Sequence, residues 1–170
     1  MTNPAEELLD VVDAEDRVIG TTTRPVAYRD GLTHRCVFIL VRDPRGRIFT
    51  HRRSAEKLFA PGAYDCFVGG VVASGETYPQ AAVREAEEEL GVSGIEPRPL
   101  FKFLYSDGDR MSWFCDVYEA LWDGPVSPQV EEVDWHDWLT EDELDRRIAE
   151  WEFVPDGLEA YRRYREFPAS

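Results

Sequence analysis

Gly70-Val71-Val72-Ala73-Ser74-Gly75-Glu76-Thr77-Tyr78-Pro79-Gln80 runs into Ala81-Ala82-Val83-Arg84-Glu85-Ala86-Glu87-Glu88-Glu89-Leu90-Gly91-Val92, which predicts a glycine-rich loop leading into a capped acidic helix. Thr77 is placed to cap the free amides of the first turn, Gln80 stands three residues on as in a capping box, and Pro79 is tolerated there. Gly91 closes the helix after Leu90. At roughly 100° per residue, Glu85, Glu88 and Glu89 share one face, being spaced i, i+3 and i+4. Glu87 points elsewhere and is expected to be solvated. Ala82, Val83, Ala86 and Leu90 form an adjoining apolar face that should pack on a sheet, so the acidic edge borders the core.

Carboxylates at this spacing repel by about 0.2–0.5 kcal/mol per pair when exposed, and by more beside a low-dielectric wall. A divalent cation relieves the repulsion. Hard oxygen donors that leave room for water and phosphate suit Mg²⁺ or Mn²⁺. Gly69-Gly70 lets the backbone turn sharply and approach an ion closely, which makes the Gly69 carbonyl a candidate ligand. Arg84, next to Glu85, is expected to hold a carboxylate in position through a charge-assisted hydrogen bond. A helix that is acidic only for solubility has no reason to supply Glu76, Arg84 and the flanking glycines at fixed offsets.

The chain has 170 residues, which suits a single domain spanning 1–170, and its 43% hydrophobic content suits an ordinary core. Lys and Arg number 19 against 34 for Asp and Glu, a net charge of −15 that should repel nucleic acid and anionic membrane surfaces. The expected ligand is therefore small and escorted by metal. No stretch approaches the roughly 20 apolar residues of a membrane span, and the N-terminal segment is acidic where a signal peptide is basic, so the expected location is the cytoplasm. Cys36, Cys66 and Cys115 are widely separated and have no C-x-x-C spacing, which argues for reduced core residues over disulfides or a zinc site.

Leu8–Val12 and Arg17–Gly20 flank Asp13-Ala14-Glu15-Asp16 and read as an N-terminal hairpin within an extension spanning 1–32. A core strand follows at about Arg35–Arg42. Asp43-Pro44-Arg45-Gly46 has the residues of a tight turn, leading into a strand at Arg47–His51. Arg52 and Arg53 follow it and Lys57 comes soon after, so these three are candidates to meet a diphosphate. Beyond the acidic helix, Arg98–Tyr105 and Met111–Leu121 read as strands joined by a turn at Asp107-Gly108-Asp109, and Glu131–Trp138 as a weaker one. Thr140-Glu141-Asp142-Glu143 starts a helix to about Trp151, and Asp156–Arg165 reads as a last one, together forming a C-terminal helical part at 141–170. His34, His51 and His136 have no partner pattern and read as structural. Trp113, Tyr105 and Phe103 are candidates to stack on a base, although core packing is the favoured account of them.

Gly70, Glu76, Arg84-Glu85, Glu88-Glu89 and Gly91 match the Nudix box at every fixed position, and the chain resembles that family over roughly 33–140. The resemblance implies an α/β/α sandwich with a mixed sheet. It implies metal ligation by Glu88, Glu89 and the Gly69 carbonyl, with Glu85 adding to the cluster and Glu132, or its neighbour Glu131, supplying a later-loop ligand. It places Glu85, next to Arg84, where some members keep a base, and leaves Glu76 a water-mediated or structural part. The implied activity is cleavage of a phosphoanhydride bond in a nucleoside diphosphate linked to another group, by attack of a metal-bound water on phosphorus. Glu88, Glu85 and Arg84 are the residues expected to carry the chemistry. Two alternatives stand beside it. Asp10–Asp13, Val18–Gly20 and Gly31–Arg35 resemble the isopentenyl-diphosphate isomerase branch of the family, but that branch's cysteine and histidine positions hold Gly69 and Val71 here. A nucleotide sensor without catalysis is expected to lose ligating carboxylates, and this chain keeps Glu85, Glu88 and Glu89.

Overall fold

Alternation along one central strand sets the layers. The computed structural model describes residues 6–57, 59–108 and 110–168. The elements run β1 (Leu8–Val12), β2 (Val18–Thr23), α1 (Arg24–Asp30), β3 (His34–Arg42), β4 (Ile48–Arg53), β5 (Tyr64–Asp65), β6 (Val68–Val71), α2 (Tyr78–Leu90), β7 (Arg98–Ser106), β8 (Ser112–Leu121), β9 (Val133–Leu139), α3 (Glu141–Glu150) and α4 (Pro155–Glu166). Strand β3 runs parallel to β8 along its whole length, from His34↔Trp113 to Arg42↔Leu121, and antiparallel to β6 from Cys36↔Val71 to Ile39↔Val68. It turns into β4 through the Asp43–Gly46 turn, and β5, β7 and β9 complete a mixed seven-stranded sheet.

Successive side chains of a strand point to opposite faces. Cys36, Phe38 and Leu40 accordingly join Leu144, Ala160 and Tyr161 of α3 and α4 on one side of the sheet. Val37, Ile39 and Val41 meet Ala81, Ala82, Ala86 and Leu90 of α2 on the other. The result is the expected α/β/α sandwich with a mixed sheet. Strand β3 needs no polar alternation because both of its faces are covered.

Helix α2 is capped as its sequence predicts. Thr77 accepts the Gln80 amide, Gln80 accepts the Thr77 amide in return, and Gly91 takes the left-handed conformation at φ 66°. Two details differ from expectation. Ala81 takes the buried place predicted for Val83, which is exposed. Glu87 is half-buried and accepts the Gly94 amide at 2.7 Å, so it ties off the loop after the helix instead of standing in water.

The β1–β2 hairpin lies outside the main sheet and braces the loop before α2. Asp10 accepts the Ser74 hydroxyl at 2.7 Å and the Gly75 amide at 3.1 Å. Asp16 collects Arg35, Tyr78 and Lys102, which fastens the hairpin turn to β3, α2 and β7. Helix α1 and strand β6 were not predicted. The first is seven residues with no apolar period, started by Pro25 and ended by Gly31 at φ 66°. The second is Val68-Gly69-Gly70-Val71, whose glycines read as loop but allow close pairing: a Cβ on Gly69 would lie 1.9 Å from the Val37 carbonyl oxygen. Residues 1–5 and the third residue of the predicted 107–109 turn lie outside the described residues. Among the described residues no helix is long and apolar enough to cross a membrane.

Candidate functional site

The acidic edge of α2 faces β6 and the loop it feeds. Arg84 is the hub. Its guanidinium donates to both oxygens of Glu76 at 2.7 and 2.9 Å, to Glu85 at 2.8 Å, and more loosely to Glu88 and the Val71 carbonyl at 3.4 and 3.3 Å. Burial works against a charged Glu76, but Arg84 and the Ala73 amide outweigh it and hold that carboxyl below its usual range. Glu85 lies over Gly70, where a Cβ would sit 2.7–2.8 Å from its carboxylate, so only glycine leaves it room. Burial pushes the Glu85 carboxyl up against the pull of Arg84, and Glu88 adds to the push.

Glu89 goes deeper. It is 3% exposed, receives a long contact of 3.4 Å from the Gly69 amide, and stands 4.0 Å from His51 Nε2. Burial raises its carboxyl well above the ordinary range, with Lys57 pulling the other way. Glu88 is exposed at the rim. Lys57 pairs with Glu132 and lies within electrostatic reach of Glu89 and Glu85, while burial disfavours its ammonium form. Glu132 thus joins the acidic edge through Lys57. Its rival Glu131 is exposed and makes no ion pair among the described residues.

Among the described residues, no three acid, histidine or cysteine side chains converge as a ready ligand set. The sequence puts Glu85, Glu88 and Glu89 on one face, but Glu85 lies over Gly70 held by Arg84, Glu88 stays at the exposed rim and Glu89 turns in toward Gly69. The donors nonetheless fit a hard divalent ion. Half-buried Glu85 and buried Glu89 lie one helical turn apart, both carboxyls are pushed up chiefly by burial, and a divalent ion would favour their charged forms.

A cavity opens from this edge into the molecule. Glu89, Gly69 and Gly70 line it together with three cations, Arg24, Arg53 and Lys57. Its floor carries Asp65, Asp156 and Trp113. The Trp113 indole donates to Asp156 at 3.1 Å, and Asp65 accepts the Phe67 amide at 3.0 Å. Burial and the neighbouring Asp156 push Asp65 up to about 7, and burial takes Asp156 up to about 6 against the pull of Arg53. His51 also lines the cavity, and burial takes it down to about 3, so its imidazole is neutral.

Of the three cations expected to meet a diphosphate, Arg53 and Lys57 line the cavity. Arg52 does not: it points to the opposite face of β4 and makes a two-pronged pair with Asp134 at 2.7 and 2.9 Å. Alternation along β4 explains the split between neighbours. Trp113 contributes to the cavity as well as the core, whereas Phe103 is core. Cys36, Cys66 and Cys115 are buried free thiols, pushed up by burial. Asp65 and Asp156 escaped the sequence reading. The signal was there for Asp65, a lone acid in the apolar run Ala63–Val68; Asp156 looked like an ordinary first-turn acid after Pro155.

The NUDIX domain model matches residues 32–163. The chain belongs to the Nudix family. The match reaches past the expected 33–140 and takes in α3 and most of α4. A Nudix hydrolase of Streptomyces coelicolor, uncharacterized by its own name, is 60% identical over 97% of this chain and 92% of that one. The uncharacterized Nudix hydrolase YfcD of Escherichia coli K12 is 36% identical over 91% of this chain and 84% of its own length. Among solved structures, DR0079 of Deinococcus radiodurans superposes with a TM-score of 0.78 at 36% identity, covering 92% of this chain and 98% of that one. The MutT protein of Methanosarcina mazei shares the fold, with a TM-score of 0.64 at 21% identity over 79% of this chain and 94% of its own. The chain is thus a Nudix hydrolase, and Nudix hydrolases act with divalent metal on small nucleotide substrates. Of the segments that resemble the isomerase branch, Asp10–Asp13 and Val18–Gly20 lie before residue 32, outside the family match, and Gly31–Arg35 falls at its start.

Proposed function

We propose that this Nudix hydrolase cleaves a phosphoanhydride bond of a nucleoside diphosphate linked to another group, nucleoside di- and triphosphates being the leading cases, with Mg²⁺ or Mn²⁺. The observation that carries this reading is the pair of half-buried Glu85 and buried Glu89, the latter on the wall of a cavity that three cations also line. Glu85, Glu88, Glu89, the Gly69 carbonyl and Glu132 would hold the metal. Such an ion, when bound, offsets the charge of phosphate oxygens and makes water more acidic.

The chain's own residues supply the rest. Water adds at phosphorus, the bridging P–O bond breaks, and the proton that the water loses passes to a carboxylate, a role that half-buried Glu85, lying over Gly70, is placed to take. Arg84 keeps Glu85 oriented. Arg53 and Lys57 bind phosphate oxygens, and the charge-assisted geometry suits them to it. The acidic surface agrees with a small ligand in place of nucleic acid.

The test is a release assay for phosphate and nucleoside monophosphate over nucleoside diphosphates, triphosphates and sugar nucleotides, each with Mg²⁺ and with Mn²⁺. Turnover of at least one, abolished by EDTA, is expected. Tight binding without turnover of any would favour the sensor alternative and overturn this reading.

A further inference from the structure

Arg24 reaches the cavity from outside the residues that the family match covers. It is the first residue of α1, directly after the hairpin that Asp10 and Asp16 fasten to the loop before α2, to β3 and to β7. The hairpin therefore carries Arg24 to a fixed place.

The charge around it is unusual for this chain. Six half-buried arginines, Arg35, Arg42, Arg47, Arg52, Arg84 and Arg163, each pair with a carboxylate. Arg24 and Arg53 are also half-buried, and among the described residues neither forms an ion pair. Both line the same cavity. Arg53 spends its Nε on the Phe59 carbonyl at 3.1 Å, whereas the Nε of Arg24 is shut off from solvent with no hydrogen-bond partner among the described residues. Glu89, Asp65 and Asp156 line the same cavity, yet none of them forms an ion pair with Arg24. Tyr28 and the Cys36 thiol are pushed up by burial, and burial takes His34 down to about 4, so all three are neutral near pH 7. A buried donor left unpaired is costly, and a fork of N–H groups matches phosphate oxygens.

We propose that Arg24, delivered by the N-terminal hairpin, grips phosphate oxygens of the substrate in the cavity that Glu89 and Gly69 also line, which makes the hairpin part of the binding machinery. The proposal rests on the phosphoanhydride reading for the identity of its ligand. It assigns the extension a job beyond bracing, and it names the partner that Arg24 lacks.

The experiment titrates the full chain with inorganic pyrophosphate by calorimetry at low salt in EDTA, so that the metal ligands take no part. Arg24→Gln should weaken pyrophosphate binding by at least about tenfold, with Arg24→Lys in between because it keeps charge but loses the fork. The exposed Arg45→Gln should bind like the parent, and Glu89→Gln at least as tightly. Thermal midpoints of both Arg24 variants are expected within a few degrees of the parent, which separates lost binding from lost folding. With a nucleotide that the enzyme turns over, Arg24→Gln should raise KM by a similar factor with kcat little changed. Equal binding by parent and Arg24→Gln, or no pyrophosphate uptake by the parent, overturns the proposal. Failure of the hydrolase reading appears separately, as a parent that binds pyrophosphate with this Arg24 dependence but turns over no nucleotide.

Discussion

Arg84 clasps Glu76 across eight residues of chain, Nε to Oε2 at 2.7 Å and Nη2 to Oε1 at 2.9 Å. Glu76 in turn accepts the Ala73 amide at 3.0 Å, so one guanidinium fastens the glycine loop to the helix that carries the acids. Glu76→Gln keeps the shape and removes the charge. It is expected to lower unfolding stability by about 1–3 kcal/mol and to reduce turnover, because the loop after Gly69-Gly70 loosens. Urea denaturation and phosphate release measure the two, and an unchanged denaturation midpoint would count against the clasp.

Glu89 has the opposite balance. Its carboxylate is buried, with Lys57, Arg53 and a long contact from the Gly69 amide offsetting its charge only in part. Glu89→Gln should therefore leave the metal-free fold as stable as the parent, or more so, while turnover falls on the order of 100-fold. Thermal melts in EDTA paired with kcat check this. A variant that melts much lower and keeps its activity would mean that Glu89 is structural.

Adjacent glycines should fail differently. A Cβ on Gly69 would stand 1.9 Å from the Val37 carbonyl oxygen, which is backbone in a paired strand and cannot yield. A Cβ on Gly70 first meets the Glu85 carboxylate, the end of a flexible side chain. Gly69→Ala is expected to cost about 3 kcal/mol or more, and Gly70→Ala to fold while losing activity as Glu85 is displaced. Circular dichroism melts and the release assay separate the two, and equal stability losses would contradict the account.

Asp65 gives a pH signature. Burial, with Asp156 beside it, pushes its carboxyl up to about 7 from an ordinary 3.8. An acid that holds its proton more tightly in the folded state contributes stability fully below its unfolded value, and loses that contribution as pH rises through the folded one. Asp65→Asn keeps an acceptor for the Phe67 amide without the charge. Measured in EDTA, the variant's melting temperature relative to the parent should be higher at pH 8 than at pH 5. A difference that does not move with pH would show that Asp65 is not the titrating group.

Local signals in the chain carried much of this. Runs of β-branched and aromatic residues predicted β3 and β8, capping residues fixed both ends of α2, and the spacing of the box named Arg84, Glu85, Glu88 and Glu89. What escaped had non-local causes. Strand β6 exists because Gly69 and Gly70 pair closely with Phe38 and Val37, a contact that two glycines in a row do not announce. The floor of the cavity joins Asp65 of β5, Trp113 of β8 and Asp156 of α4, which only the folded topology brings together. Arg52 and Arg53 looked equivalent until pairing with β9 fixed which one faced inward. The spread of Glu85, Glu88 and Glu89 depends on Arg84 and on burial, which helical spacing alone does not weigh.

The most direct measurement of the central claim, that the acidic edge of α2 holds divalent metal, is electron paramagnetic resonance of Mn²⁺ titrated into the full chain. The parent should quench the free-ion signal, and Glu88→Gln combined with Glu89→Gln should restore it while circular dichroism stays that of the folded protein. Equal Mn²⁺ uptake by the parent and the folded double variant would contradict the account.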